Sequence, residues 1–306
     1  MNESSKKIKV LVAIVTYNAE AYIKKCLDSI KSQDYEIDII VVDNLSKDKT
    51  KAILQDYSDR IKVIYSDKNL GFGQANNLML RYSIQKKYDY TFLLNQDTYI
   101  LYQSLDKLIS SALTRQEFAI YSPIHLSRNG KDMDSGFKDY IEQTRLESNS
   151  SNFTKAKFIN AAAWLIPLKV LKEVGGFSPL FFHYGEDNDY AFRLNKKKGN
   201  FLIVKDAFIV HDRDSRSMAE LSKVDAKKYA ARFRAYLLKY AANINHSLAN
   251  AFIDVFLKGI GEVKKFILKR EIELALSAIG NIISIFTQMN KIVKHRDKAH
   301  KSGAFL

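Results

Sequence analysis

A chain of 306 residues with 46% hydrophobic and 27% charged side chains can bury a sizeable core, which excludes the disordered and fibrous classes. The formal charge of +14 is unevenly spread: from Arg216 onward 17 Lys and Arg stand against 7 Asp and Glu. The tail is therefore where a polyanion, either nucleic acid or an anionic membrane surface, would bind. The single Cys26 permits no intramolecular disulfide and the opening from Met1 to Lys9 is polar, a combination that predicts a cytoplasmic chain.

Ile8 to Thr16 is a β-branched run that predicts a first, central strand, and Tyr17-Asn18 turns the chain after it. In Ala19 to Gln33 the residues Tyr22, Ile23, Cys26, Leu27 and Ile30 recur at the spacing of an amphipathic helix, with Cys26 in the core. Ile37 to Asp43 reads as a second buried strand, followed by Asn44 and Ser46. A short helix at about 47–57, a strand at 61–66, a longer helix at about 74–86 and a strand from Tyr90 continue the alternation. That alternation predicts βαβ units and a parallel sheet. A helix over Leu101 to Thr114 and a strand over Phe118 to Ser122 come next. Residues 125–152 are polar, either a loop near a substrate or a surface excursion. Phe158 to Pro167, with Trp164, resumes the core, a helix is expected over Asp187 to Lys196, and Phe201 to Val210 is a last strand ending in His211.

Carboxylates fall where the strands end. Asn95-Gln96-Asp97 closes the apolar strand from Tyr90, and Asp43 closes the strand before it, so both would lie at the sheet edge where open α/β sheets bind ligands. A hard carboxylate oxygen there suits Mg²⁺ or Mn²⁺ holding a diphosphate, and His211 would suit Mn²⁺ if it converged with Asp97. Between them, Asn69-Leu70-Gly71-Phe72-Gly73 has Asn76 where a dinucleotide motif would place a third glycine. Its glycines still allow backbone to approach a phosphate or ribose. Glu186, Asp187 and Asp189 follow an aromatic stretch and open the last helix. They suit the helix dipole and equally a general base whose pKa an apolar neighbourhood raises.

Taken in order, Thr16-Tyr17-Asn18, Val42-Asp43-Asn44, Asn69-x-Gly71-Phe72, Leu94-Asn95-Gln96-Asp97, Gly175-Gly176-Phe177, Gly185-Glu186-Asp187 and His211 resemble the family-2 inverting glycosyltransferases of GT-A fold. The likeness covers roughly residues 8–215 and points to bacterial surface-polysaccharide, rhamnosyl-type transferases. It implies a Rossmann-like mixed α/β sheet flanked by helices over residues 1–215, after which the tail pattern predicts a helical extension over 216–306. It further implies a nucleoside-diphosphate sugar donor, UDP- or dTDP-linked, held through Thr16, Tyr17, Asn18, Asp43, Asn69, Gly71, Asn76 and Asn95. Mn²⁺ or Mg²⁺ would sit on Asp97 and His211, Asp187 would be the general base, and Glu186 would orient a glycan or lipid-linked acceptor. Asn95 is a departure: many members of the family carry a second acid there, so this site has one carboxylate fewer for the metal.

The tail carries amphipathic helical patterns at Ser222 to Ala242, Phe252 to Leu268 and Leu274 to Phe286. Such helices either pack on the catalytic half or on a second copy of the chain, or lie on the inner face of the plasma membrane with lysines on anionic lipid. Nothing in them matches a nucleic-acid motif. A nucleic-acid-binding protein and a silent scaffold of a polysaccharide assembly complex stand as the alternatives to an enzyme.

Overall fold

The computed structural model describes residues 7–142, 152–212 and 226–306. Among them the first half alternates strand and helix: β1 (Lys9–Thr16), α1 (Ile23–Ser29), β2 (Glu36–Asp43), α2 (Thr50–Gln55), β3 (Lys62–Tyr65), α3 (Gly71–Lys86), β4 (Tyr90–Asn95), β5 (Thr98–Ile100), α4 (Ser104–Arg115) and β6 (Ala119–Leu126). The chain continues through α5 (Ser135–Glu142), β7 (Phe153–Ala156), β8 (Ala163–Pro167), α6 (Leu168–Val174), α7 (Glu186–Lys196) and β9 (Asn200–His211). Four helices end it: α8 (Ala226–Ala242), α9 (Leu248–Leu268), α10 (Ile272–Thr287) and α11 (Met289–Ala299).

The strands form one sheet in the order β3-β2-β1-β4-β8-β6-β9-β5, with β7 also on β9. The β3-β2-β1-β4 half is parallel, and β8 runs antiparallel to both β4 and β6. The mixed, helix-flanked sheet expected from the family resemblance is thus present. β1 is buried on both faces, as a central strand covered by helices must be. Val10, Val12 and Ile14 join the core under α1, α2 and α4, while Leu11 and Ala13 face the core under α3, α6 and α7. The register pairs Thr16 with Asp43 and Val15 with Asn95, so the ends of three strands line up at one edge.

Several boundaries differ from the sequence pattern for local reasons. α3 begins at Gly71, earlier than the apolar period suggests, because side-chain carbonyls cap it: Leu70 N donates to Asn44 Oδ1 at 2.7 Å and Gly71 N to Asn69 Oδ1 at 2.9 Å. The polar stretch after β6 contains α5, whose start is capped by Asp134 Oδ1 accepting from Phe137 N at 3.1 Å. Residues 143–151 of that stretch, and the expected boundary between catalytic half and extension at residues 215 and 216, lie outside the described residues. β5 and β7 are too short to register as apolar runs.

The helical extension is tied to the sheet half by a buried ionic cluster. Arg193 on α7 is fully buried; its Nε donates to Asp189 Oδ2 at 2.9 Å, Nη1 to Val174 O and Nη2 to Gly176 O, both at 2.7 Å. Asp189 Oδ1 lies 2.9 Å from Nε2 of His295 on α11, and His295 Nδ1 lies 2.8 Å from Ser178 Oγ. Burial works to raise the Asp189 carboxyl, but Arg193 and His295 outweigh it and hold it below the ordinary carboxylate range. Removing one member of such a cluster strands a buried charge. Asp189→Ala is therefore expected to lose about 3–5 kcal/mol of unfolding free energy, read from urea unfolding curves. A loss under about 1 kcal/mol would mean that the two carbonyls alone satisfy Arg193.

Candidate active site

The first part of the candidate site is built from the turns that follow β1 and β2. Thr16 Oγ1 donates to Asp43 Oδ1 at 3.2 Å, Ser46 N donates to Asp43 Oδ2 at 3.2 Å, and Asp43 itself is fully buried. Asn18 adopts the left-handed conformation and bridges the two turns, with its N on Ser46 Oγ and its Oδ1 accepting from Lys47 N, both at 2.9 Å. Gln96 clamps the end of β4 to that of β1, accepting from Tyr17 N at 2.7 Å and donating to Tyr17 O at 3.3 Å. The Tyr17 ring is left exposed above this frame.

Asn44 extends the frame to α3, its Nδ2 donating to Asn69 Oδ1 at 2.9 Å and to Gly71 O at 3.4 Å. Close packing against Gly71 and Gly73 comes from the protein itself. A Cβ on Gly71 would strike Phe182 O, and one on Gly73 would lie 2.7 Å from Phe177 Cβ and 3.8 Å from Glu186 Cβ. Asn76 sits buried one turn into α3, its Nδ2 on Phe72 O at 3.0 Å, so its amide donor serves the helix. Its neighbour Asn77 holds Phe177 from both sides, accepting from its N at 2.7 Å and donating to its O at 2.8 Å.

Asp97 and His211 meet because β5 folds back onto β9. Their antiparallel register sets Thr98 opposite His211, and His211 Nε2 then lies 3.4 Å from Asp97 Oδ2. On the other side of the ring, His211 Nδ1 is buried, without a hydrogen bond, 3.8 Å from Asp134 Oδ2. Among the described residues no three His, Cys, Asp or Glu side chains converge in metal-ligand geometry. The pair nevertheless fits a divalent ion whose shell a diphosphate completes: one hard oxygen, one imidazole, and a carboxylate facing the other ring nitrogen, as metal-bound histidines favour. Asn95 ends β4 beside them, its carbonyl accepting from Thr98 Oγ1 at 2.6 Å. Asp134 is the residue that sequence reasoning missed here; its signal was the helix cap it provides to α5.

Glu186 and Asp187 open α7 after Tyr184 and Gly185, both at positive φ. Glu186 is 6% exposed, and its Oε2 is buried with no hydrogen-bond partner. Burial, and next the nearby Asp187 charge, push its carboxyl up to about 7. Burial also raises the Asp187 carboxyl, against the amides of Asn188, at 2.8 and 2.9 Å, and the charge of Lys239. Both acids line a cavity of about 960 Å³ that runs between α7 and α8. On its α8 wall, Arg232 rests on the Tyr184 ring at 5.4 Å, and Lys239 lies 5.0 and 5.4 Å from the rings of Tyr236 and Tyr240.

The sites therefore share one edge. β4 and β9 run in the same direction, so Asp97 and His211 belong to the edge that carries Asp43. The start of α3 links Asn44 to Glu186 through Gly73 and Phe177.

The Glycosyl transferase family 2 model matches residues 11–175. The rhamnosyltransferase WbbL of Escherichia coli K12 is 28% identical over 209 residues, 61% of this chain and 76% of that protein. Among solved structures, Staphylococcus aureus TarS 1-349 in complex with UDP-GlcNAc matches with a TM-score of 0.57 at 16% identity, covering 96% of this chain and 90% of that one. The mannosyltransferase PcManGT from Pyrobaculum calidifontis, in complex with GDP-Man and Mn²⁺, matches with a TM-score of 0.58 at 15% identity, covering 97% and 88%. At these identities the two structures report the fold.

The Glu186 environment carries a pH signature. Its native pKa, about 7 against an ordinary 4.5, means the folded state binds the proton more tightly than the unfolded chain. Stability from this group is intact at low pH and is lost as pH rises from about 4.5 to about 7, by on the order of 3 kcal/mol in all. Glu186→Gln is expected to gain stability over the native protein between pH 5 and pH 8, read from paired urea midpoints. Parallel curves at the two pH values would show that Glu186 ionises freely.

Proposed function

Since the chain belongs to glycosyl transferase family 2, we propose that it moves a sugar from a UDP- or dTDP-linked donor to a hydroxyl of a glycan or lipid-linked acceptor in bacterial surface-polysaccharide synthesis, with inversion at the anomeric carbon. The observation that carries this reading is the shared sheet edge. The Asp97–His211 pair stands at the strand ends, and Glu186, with Asp187 next to it in the chain, lies close to Gly73 at the start of α3.

In this reading the exposed Tyr17 ring stacks on the base, and Asp43 fixes the turns of Thr16, Asn18 and Ser46 beneath it. A divalent ion held by Asp97 and His211 would neutralise charge growing on the departing diphosphate. Asp134 would hold the His211 ring with its Nε2 toward Asp97. A hydroxyl is a weak nucleophile at neutral pH, so a carboxylate must take its proton in the transition state. Asp187 fills that role: it faces the cavity, and Asn188 and Lys239 favour its charged form. Glu186, whose carboxyl is pushed up to about 7, donates in its protonated form a hydrogen bond that orients the acceptor. The Arg232 and Lys239 side chains make the cavity cationic, which favours an acceptor bearing a phosphate group.

Asp187→Asn is expected to lower kcat by roughly 10²–10⁴-fold with donor KM little changed, measured on a panel of UDP-, dTDP- and GDP-sugars. Asp97→Ala and His211→Ala are expected to weaken UDP or dTDP binding at least roughly tenfold in the presence of Mn²⁺ and little without it, read by titration calorimetry. Unchanged binding in both variants would remove the metal role. Lys239→Met should raise the KM for a phosphorylated acceptor more than that for the donor.

A further inference from the structure

Helices α9 and α10 form an antiparallel hairpin whose inner contacts are explicit. Phe252 and Phe286 rings lie 5.1 Å apart, and Gly259 admits Ile282, whose Cδ1 would lie 2.5 Å from a Cβ there. One side of the hairpin rests on α8: Tyr229 meets Phe266 at 5.0 Å and donates to Glu262 at 2.6 Å, and Asn281 donates to Ala230 O at 3.0 Å.

The other side is apolar and open. On α9, Ile253, Leu257, Ile260 and Ile267 recur at three- and four-residue spacing about half a turn from Glu262, which faces α8, and all are exposed, Leu257 to 62%. On α10, Ile272, Leu276, Ile279 and Ile283 repeat the pattern opposite Asn281, with Leu276 at 63%. Isolated exposed apolar residues are ordinary, but two adjoining helical stripes of large side chains make a continuous patch that a soluble surface rarely carries. Lys264, Lys269 and Arg270 stand at its tip and make no ion pair within 4 Å among the described residues, while Glu271 and Glu273 offset part of their charge.

We propose that this face docks on an anionic lipid surface, with the hairpin lying in the headgroup region. Among the described residues no single helix is long and apolar enough to cross a bilayer, so the hairpin lies along the interface, its apolar stripes inserted and its lysines on anionic headgroups. A second copy of the chain is the poorer occupant, because a two-fold contact of this patch with itself would cover the apolar stripes but supply no separate anionic surface for Lys264, Lys269 and Arg270, as an anionic membrane does. Docking here would also carry α8, which supplies Arg232 and Lys239 to the cavity, to the lipid surface.

The test is co-sedimentation of the full chain with phosphatidylcholine vesicles, alone or with roughly 30 mol % phosphatidylglycerol. The native protein is expected to bind the anionic vesicles at least roughly tenfold more tightly than the neutral ones, with the difference shrinking in high salt. Leu276→Glu with Ile283→Glu, and separately Lys264→Gln with Lys269→Gln, should each weaken binding to anionic vesicles several-fold or more without moving the thermal unfolding midpoint, since all four side chains are exposed. Absence of vesicle binding overturns the proposal. So does binding that both double variants retain, and so does a native dimer in sedimentation velocity that Leu276→Glu with Ile283→Glu dissolves.

Discussion

The arrangement depends on one buried guanidinium. Arg193 has no contact with solvent, and its donors are spent on the Asp189 carboxylate and on the carbonyls of Val174 and Gly176. The bond to Asp189 lies within α7, while the other two reach Val174, which ends α6, and Gly176 in the Gly-Gly-Phe turn. A planar fork can hold three such partners at fixed angles, where a lysine ammonium could not. Asp189 passes the constraint on to His295, so α11 is locked to the same point. The helix that presents Glu186 and Asp187 is thereby fixed in position and direction by an interaction remote from any reacting atom.

The Gly-Gly-Phe turn transmits this order to the frame around Asn44 and Asn69. Gly176 N donates to Ala304 O at 2.8 Å, so the last residues of the chain cover the turn, and no side chain would fit at Gly175 against the Ala304 backbone. Phe177, held by Asn77, stacks on Trp164 at 6.1 Å and fills the space that Gly73 leaves open. Two helix starts, those of α3 and α7, are thus spaced by a single aromatic side chain. A larger residue at position 73 would push the acid-bearing loop away from the Asn44–Asn69 frame.

The strand ends were legible because burial on both faces forces continuous apolar runs, and the polar residue that stops such a run marks the sheet edge. Asp43, Asn95 and His211 were found by that signal. Asp134 was not, since it lies in a polar stretch where nothing in the period distinguishes it, and only the pairing of β6 with β9, with Asp134 N on His125 O, brings it near His211. The glycines of the Asn69–Gly73 segment were visible as positions needing close approach, but the sequence could not say what approaches; Phe177 and Phe182 do. Asn76 and Asn77 look alike in the string, and only their different helix faces separate an amide bonded within α3 from one that pins Phe177. The tail was legible as amphipathic helices, whereas its attachment through His295 and the residues around Ala304 depends on partners more than 100 residues away.

Two adjacent carboxyls in one cavity need not do the same work, and their surroundings divide them. Glu186 is desolvated, with one oxygen lacking any partner, and the Asp187 charge beside it adds to the cost of ionising. Asp187 is also desolvated and its carboxyl is raised, but the Asn188 amides and the Lys239 ammonium offset part of that cost. Asp187 thus has neighbours that favour its charged form, and Glu186 has none on its buried oxygen. Lys239 gives up some of its own proton affinity to burial while it does this, and the Tyr236 and Tyr240 rings steady it there. In the proposed reaction it is this difference in neighbours, and not the order of the two residues along the chain, that suits Asp187 to the role of base and Glu186 to that of orienting acid.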